Sequence, residues 1–167
     1  MSVDKVLAEL LALRRGHEQR ALDLLTQREA ELWRAEETRA TADDKAQQHQ
    51  ADAQAREREE LRALQGRPVS SHDILGLQDR LDAMAAEQGQ LKAAAETARQ
   101  DLAERASARD DARTAFRTRQ RATEKLALLA GQRARETGRR QAALADDADD
   151  EKNTRGASGV PPGGRRA

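Results

Sequence analysis

The chain has 167 residues and no cysteine, and its 30 basic side chains balance 30 acidic ones. Alanine, arginine, leucine, glutamate and lysine make up 98 of the 167 residues, which is typical of long helices and coiled coils. Only 25 residues are Leu, Ile, Val or Phe, too few for a compact globular core. The lack of cysteine excludes both a disulfide framework and a thiol nucleophile. Balanced charge and abundant helix formers favour helical order over disorder.

The N-terminus of the chain contains one apolar stretch. The first residues read MSVDKVLAELLALRRGHE, with Asp4 and Glu9 inside the stretch. Because it is short and interrupted by charges, it fits neither a signal peptide nor a membrane span. We therefore expect a cytoplasmic protein without a membrane span.

A first helix is predicted from about residue 3 to residue 65. Leu11, Leu22 and Trp33 recur at eleven-residue steps, which favours a hendecad-like apolar stripe over a strict heptad. Between residues 34 and 60 the apolar side chains are all alanine. The helix is therefore expected to pack weakly in its alanine-only half.

The segment LQGRPVSSHDIL, residues 64–75, interrupts this pattern. Gly66 suits the left-handed residue after a helix end, and Pro68 cannot continue a helix. Ser70 and Asp73 have the spacing of a capping box, and Val69 precedes the cap where a hydrophobic staple with Ile74 would form. Stop and start signals this close together predict a tight reversal with its turn at 66–70.

A second helix is predicted from about residue 71 to residue 145. With Ile74 as position a, twelve of the eighteen a and d positions through Arg133 are apolar, which indicates a heptad seam. The prediction is an all-α fold, a long antiparallel two-helix coiled-coil hairpin over 1–147. The turn pairs residues whose numbers sum to about 138. Residues 148–167 contain Pro, Gly and Ser without a period and are predicted to be a disordered tail.

Catalytic chemistry finds little support in the sequence. His17, His49 and His72 are far apart, and the hairpin pairing brings none of them beside another. The carboxylates lie beside arginines at helical spacing, and no glycine-rich phosphate loop is present. We expect no catalytic residue, no metal site and no cofactor, and hence a protein that is not an enzyme.

Binding to a partner is indicated by charge and by apolar residues off the seam. Nine basic residues lie between Arg113 and Arg140, against only Glu124 and Glu136. This segment is interpreted as a solvated helix face, a basic end that docks on an acidic partner, or a nucleic-acid site. Zero net charge and only two aromatic residues disfavour nucleic acid. The candidate partner-binding residues are Leu10, Leu13, Trp33, Arg113, Arg117, Arg121, Leu128, Leu129 and Arg133.

Three features resemble the YscO/FliJ family, the stalk proteins of type III secretion and flagellar export. They are the N-terminal segment LAELLALRRGHEQRALDLLTQREAELWR, the single central reversal, and the basic closing segment FRTRQRATEKLALLAGQRARE. The resemblance covers residues 1 to about 150 in length and pattern. It implies an antiparallel two-helix coiled coil similar to the central stalk of rotary ATPases.

The same resemblance implies a function. Family members insert in the hexameric secretion ATPase, promote its assembly and activity, and link it to the export gate at the inner membrane, and some bind export chaperones. This chain would then be a cytoplasmic protein peripheral to the inner-membrane secretion apparatus. Two alternatives remain open, a nucleic-acid-associated helical protein and a homo-oligomeric structural scaffold. The scaffold predicts a parallel dimer whose register is set by Gln88, Arg105, Arg109 and Arg119.

Overall fold

Two long helices packed against each other form the protein. A computed structural model describes residues 2–157, with side chains through residue 152. Helix α1 spans Val3–Leu64 and helix α2 spans Ser71–Ala157, and no strand occurs among the described residues. The predicted all-α hairpin is confirmed.

The turn between the helices follows the capping signals in the sequence. The Gln65 amide donates to the Arg62 carbonyl at 3.1 Å, and Gly66 takes the left-handed conformation with φ of 76°. At the start of α2, the Ser70 amide donates to Asp73 Oδ2 at 3.0 Å and the Asp73 amide donates to Ser70 Oγ at 3.2 Å. These reciprocal bonds form the predicted capping box.

The hairpin divides into two compact units. Unit 1 comprises the described parts of residues 1–19 and 117–167, and unit 2 comprises residues 20–116 with the turn. Unit 1 therefore contains the open end of the hairpin, where α1 begins. Unit 2 contains the closed end.

Small side chains dominate the buried seam of unit 2. None of the buried residues is aromatic, and alanine is the commonest among them. They are Ala21, Leu25, Leu32, Ala35 and Ala46 on α1, and Ala95, Ala98 and Ala112 on α2. Alanine lets two helix backbones approach closely but buries little apolar surface, so the seam contributes modestly to stability.

The buried positions of α1 follow a heptad, so the predicted hendecad stripe was wrong. Leu25, Leu32 and Ala46 are separated by multiples of seven, whereas Leu22 is 38% exposed and Trp33 is 60% exposed. Seven-residue spacing keeps a stripe facing a partner helix in a left-handed supercoil. Alanines occupy several of these positions, and their small size concealed the pattern.

The predicted heptad of α2 is confirmed. Of its eighteen a and d positions, only Ile74, Arg119 and Arg133 are exposed. The pairing register is confirmed as well, because the partners in cross-helix ion pairs have residue numbers that sum to about 138. In unit 2, Glu60 pairs with Arg80 at 2.8 Å and Asp43 with Arg99 at 2.8 Å.

Helix α2 continues beyond residue 145, where the sequence predicted its end. Residues 146–157 are helical, and Lys152 pairs with Asp149 at 3.1 Å across one turn. No proline or glycine occurs between residues 139 and 155, so nothing in this part of the chain stops the helix. The remainder of the predicted tail, residues 158–167, lies outside the described residues.

Candidate partner-binding surface

A groove at the open end combines leucines with basic side chains. Leu10, Leu13, Arg14 and His17 lie on one face of α1 at spacings of three and four residues, and Arg119 of α2 completes the lining. The cavity between them has a volume of about 450 Å³. We call this feature of unit 1 the open-end groove.

Arg119 crosses the seam instead of entering it. It occupies a d position, but its Nη1 atom lies 3.3 Å from the His17 carbonyl oxygen and 3.4 Å from His17 Nδ1. A guanidinium is costly to bury without a carboxylate, so the side chain stays exposed and lies across α1. One turn further, the buried Thr123 hydroxyl donates to the Arg119 carbonyl at 3.0 Å.

Leucines extend the apolar surface beyond the groove. Leu13 is 59% exposed and Leu128 is 67% exposed, and Leu129 is exposed as well. Leu128 lines a second, shallow concavity of about 560 Å³ on α2 alone, between Glu124 and Arg135. Exposed leucines at helical spacing beside polar residues are a common feature of sites that bind proteins.

Part of the basic charge of unit 1 has no acidic partner in the described part of the chain. Arg133 reaches Asp4 only at 3.8 Å. Arg117 and Arg121 are exposed and form no ion pair with any residue that the structure describes. The unit therefore presents positive charge next to exposed leucines.

The nine predicted binding residues are divided between the units. Leu10, Leu13, Arg117, Arg121, Leu128, Leu129 and Arg133 belong to unit 1. Trp33 and Arg113 belong to unit 2, where Trp33 is 60% exposed and Arg113 pairs with Glu29 at 3.6 Å. Whether these residues bind a partner stays a prediction.

Sequence reasoning missed three residues of the open-end groove, namely Arg14, His17 and Arg119. The signal was present, since Arg119 breaks the apolar heptad at a d position and the pairing sum places it beside residue 19. A large cation at a seam position, next to leucines on the facing helix, indicates that the seam opens there.

Ion pairs hold the polar seam positions of unit 2. Glu31 Oε2 accepts hydrogen bonds from Arg28 at 2.8 Å and from Arg105 at 3.1 Å. The bond from Arg28, followed by that from Gln27, holds the pKa of Glu31 below its ordinary value. Hydrogen bonding to Asp101, reinforced by Glu31, raises the pKa of Arg105.

These contacts bear on the parallel dimer that the scaffold alternative predicted. Gln88 donates to the Ala46 carbonyl at 3.2 Å, and Arg105 and Arg119 contact α1 of the same chain. Arg109 pairs with its neighbour Asp110 at 2.7 Å. The parallel arrangement is wrong for this chain because the helices pair within one molecule and run antiparallel.

The described residues contain neither a cluster of metal ligands nor a membrane-spanning helix. No group of three or more His, Asp or Glu side chains is placed to hold a metal ion in residues 2–152. Neither helix, over the part that the structure describes, has a stretch long and apolar enough to cross a membrane.

Comparison with known proteins gives no match. No protein-family model matches the sequence, and neither the curated proteins nor the solved structures include one that matches it.

Proposed function

We propose that this chain is a non-enzymatic stalk or adaptor of a bacterial type III protein secretion system. The open end of the hairpin inserts in the hexameric secretion ATPase, and the chain couples that ATPase to the export gate. It would work in the cytoplasm, at the inner-membrane secretion apparatus. Export chaperones are further candidate partners.

One observation carries the proposal, the apolar and basic surface at the open end of an antiparallel hairpin. Leu13 and Leu128 are mostly exposed there, and Arg117 and Arg121 lack acidic partners among the described residues. Leucines supply the apolar contact area for a partner, and arginines supply attraction to an acidic surface. The resemblance of the flanking segments to export stalk proteins supplies the identity of that partner.

The thin seam also supports a role that depends on a partner. Its core consists mainly of alanines, and no side chain of residues 2–152 is completely buried. Such a hairpin gains stability from any partner that binds only its folded form. A stalk held inside a ring of six subunits would receive that support.

The direct test mixes the purified full chain with a purified type III secretion ATPase and measures complex formation and ATP hydrolysis. We expect the chain to bind the ATPase and to increase its rate of ATP hydrolysis. Leu13→Ser/Leu128→Ser and Arg117→Glu/Arg121→Glu, both in unit 1, should weaken both effects.

Matched controls lie in unit 2. Leu75→Ser removes a leucine that is exposed to the same degree as Leu13, at 59%, and Arg56→Glu/Arg58→Glu reverses two exposed arginines of α1. Both controls should behave as wild type. Absence of any binding, or equal binding by the open-end and control variants, would reject the proposal.

A homo-oligomeric scaffold is the second candidate. The exposed Leu24, Trp33 and Leu75 of unit 2 favour it, because contact with further copies would cover them. Light scattering separates the two, since a scaffold forms large oligomers without the ATPase. Trp33→Ser would then reduce the oligomer mass, whereas the stalk proposal expects no change in mass.

A further inference from the structure

Helix α2 extends past the start of α1 in unit 1. Helix α1 begins at Val3, and the ion pair between Asp4 and Arg133 places its first turn beside residue 133 of α2. From residue 138 to residue 152 every residue is exposed. We call residues 138–152 the overhang. The overhang continues a helix that is already formed, but within the described chain no other element packs against it.

The overhang carries opposite charges on its two halves. Its sequence is GRRQAALADDADDEK, with Arg139 and Arg140 on one side and five acidic residues on the other. Leu144 lies between the halves and is 68% exposed. The helix dipole favours cations rather than acids towards a helix C-terminus, so it does not account for the acidic half.

The heptad of α2 continues through this segment and places three residues on one face. Arg140 and Asp147 fall at d positions, and Leu144 falls at the a position between them. Seven residues separate Arg140 from Asp147, about 10 Å along the helix, too far for them to pair with each other. Neither forms an ion pair with any side chain of residues 2–152.

We propose that two copies of this chain associate through their overhangs, antiparallel and related by a two-fold axis. The midpoint between Arg140 and Asp147 falls between Ala143 and Leu144. An axis there sets Arg140 of each copy opposite Asp147 of the other, and brings the Leu144 side chains of the two copies together at the centre. One segment thus provides both halves of a complementary surface, as a two-fold interface requires.

The charge pattern of the overhang favours a second copy of the chain as its partner, in antiparallel orientation. A parallel pair would set Arg140 against Arg140 and Asp147 against Asp147, and like charges at facing positions repel. An acidic partner would be repelled by the outer half of the overhang, and a basic partner by the inner half. A second copy in antiparallel orientation satisfies both halves at once.

The interface is short, so the association is weak. Fifteen helical residues extend about 22 Å and present one leucine among alanines, less than the area that stable dimers bury. We expect a monomer–dimer equilibrium that depends on protein concentration and weakens with salt, because exposed ion pairs are screened. This inference does not rest on the proposed secretion function.

Sedimentation equilibrium on the full chain, over a range of concentrations at low and high salt, tests the inference. Wild type should form dimers whose association constant falls as salt rises. Arg140→Asp and Asp147→Arg should each weaken dimerisation roughly tenfold, because each variant replaces two attractive pairs by repulsive ones. The double variant Arg140→Asp/Asp147→Arg should dimerise like wild type, since it only exchanges the charges.

Mixing the two single variants gives a sharper readout. The Arg140→Asp chain carries only acids at these d positions and the Asp147→Arg chain only arginines, so they should form a heterodimer. The exposed Arg58→Asp, far along the chain in α1, controls for net charge and should leave the equilibrium unchanged. Circular dichroism checks that every variant keeps its helix content.

Three outcomes would overturn the inference. One is a wild-type chain that stays monomeric throughout the concentration range. Another is single variants that dimerise as tightly as wild type. The third is a mixture of the two variants that shows no association beyond that of its components.

Discussion

His49 Nδ1 lies 2.7 Å from Gln88 Oε1, across a part of the seam of unit 2 whose buried side chains are alanines. Gln88 Nε2 donates to the Ala46 carbonyl at 3.2 Å, which leaves Oε1 to accept a hydrogen bond from His49. His49 Nε2 also lies 3.1 Å from Glu87 Oε2. Alanines interlock poorly, so this polar layer fixes the register of the helices where packing does not.

Breaking that layer on one side should destabilise the hairpin. Gln88→Ala removes the acceptor of His49 and should lower the free energy of unfolding by about 1 kcal/mol, because a half-buried donor loses its partner. Urea unfolding followed by circular dichroism measures the change. Gln90→Ala, an exposed substitution two residues away, should change stability by less than about 0.5 kcal/mol.

Replacing both members of the layer should have the opposite effect. In His49→Leu/Gln88→Leu neither side chain of the pair is left without the other, the exposed Glu87 carboxylate is free to be solvated, and the seam gains apolar area. We expect this double variant to be at least as stable as wild type. If it is less stable than Gln88→Ala, the polar layer does more than fix the register.

The close approach of the helices at Ala95 should exclude a larger side chain. Ala95 is 4% exposed and faces α1, whereas Ala93 on the same helix is exposed. Ala95→Leu should lower the free energy of unfolding by about 1–3 kcal/mol through overpacking. Ala93→Leu adds the same side chain at a solvent position and should be close to neutral. Equal effects on the thermal midpoint would mean that the seam accommodates leucine.

The capping box should make stability depend on pH in acid. Hydrogen bonds from the Ser70 amide and then the Ser70 hydroxyl hold the pKa of Asp73 below its ordinary value. A lowered carboxyl pKa stabilises the fold above the unfolded pKa, and this contribution is lost as the pH falls through the folded pKa. The loss should therefore occur below about pH 4.

Thermal unfolding at neutral pH and at about pH 3 measures this contribution. Asp73→Asn removes the titrating group and should reduce the difference between the two midpoints. Ser70→Ala removes the hydroxyl donor, so it should reduce the difference as well. Ser71→Ala, at the first helical position, is the control and should leave the difference unchanged. An unchanged difference in Asp73→Asn would assign the acid dependence to other carboxyls.

Sequence alone predicted the architecture because its signals are local. Gly66, Pro68 and the capping box define the turn, and the turn then determines the pairing register over the whole hairpin. The prediction for α1 placed the large side chains of Leu22 and Trp33 on the buried stripe. In the structure these two are exposed, and Ala21, Ala35 and Ala46 fill the seam. Where two helix backbones approach closely, small residues fill the seam, so the size of an apolar side chain does not predict its burial.

The candidate site was only partly foreseeable for a different reason. Exposed leucines and unpaired arginines can be listed from a sequence, but the open-end groove depends on where one guanidinium lies. Arg119 crosses to the His17 carbonyl because its seam position offers no carboxylate. The facing helix determines where the Arg119 side chain lies, so the break in the heptad at Arg119 has to be combined with the pairing register before the groove can be located from the sequence.

Replacing glycine by alanine should lower the free energy of unfolding at Gly66 and raise it at Gly89. Gly66 adopts a φ of 76°, which an L side chain disfavours, and Gly66→Ala should cost about 1 kcal/mol or more. Gly89 is helical and exposed, and apart from its chain neighbours and its own helical backbone nothing lies within 4 Å of the position that a Cβ would occupy. Gly89→Ala should therefore raise the free energy of unfolding by about 0.5–1 kcal/mol, since alanine is the better helix former.

Urea unfolding of both variants and of the double variant measures these effects together. The two sites share no contact, so their changes should add within about 0.5 kcal/mol. A stabilising Gly66→Ala would mean that the turn relaxes to an ordinary helical backbone, which would extend α1 through the reversal. The tight turn requires that the two glycines respond in opposite directions.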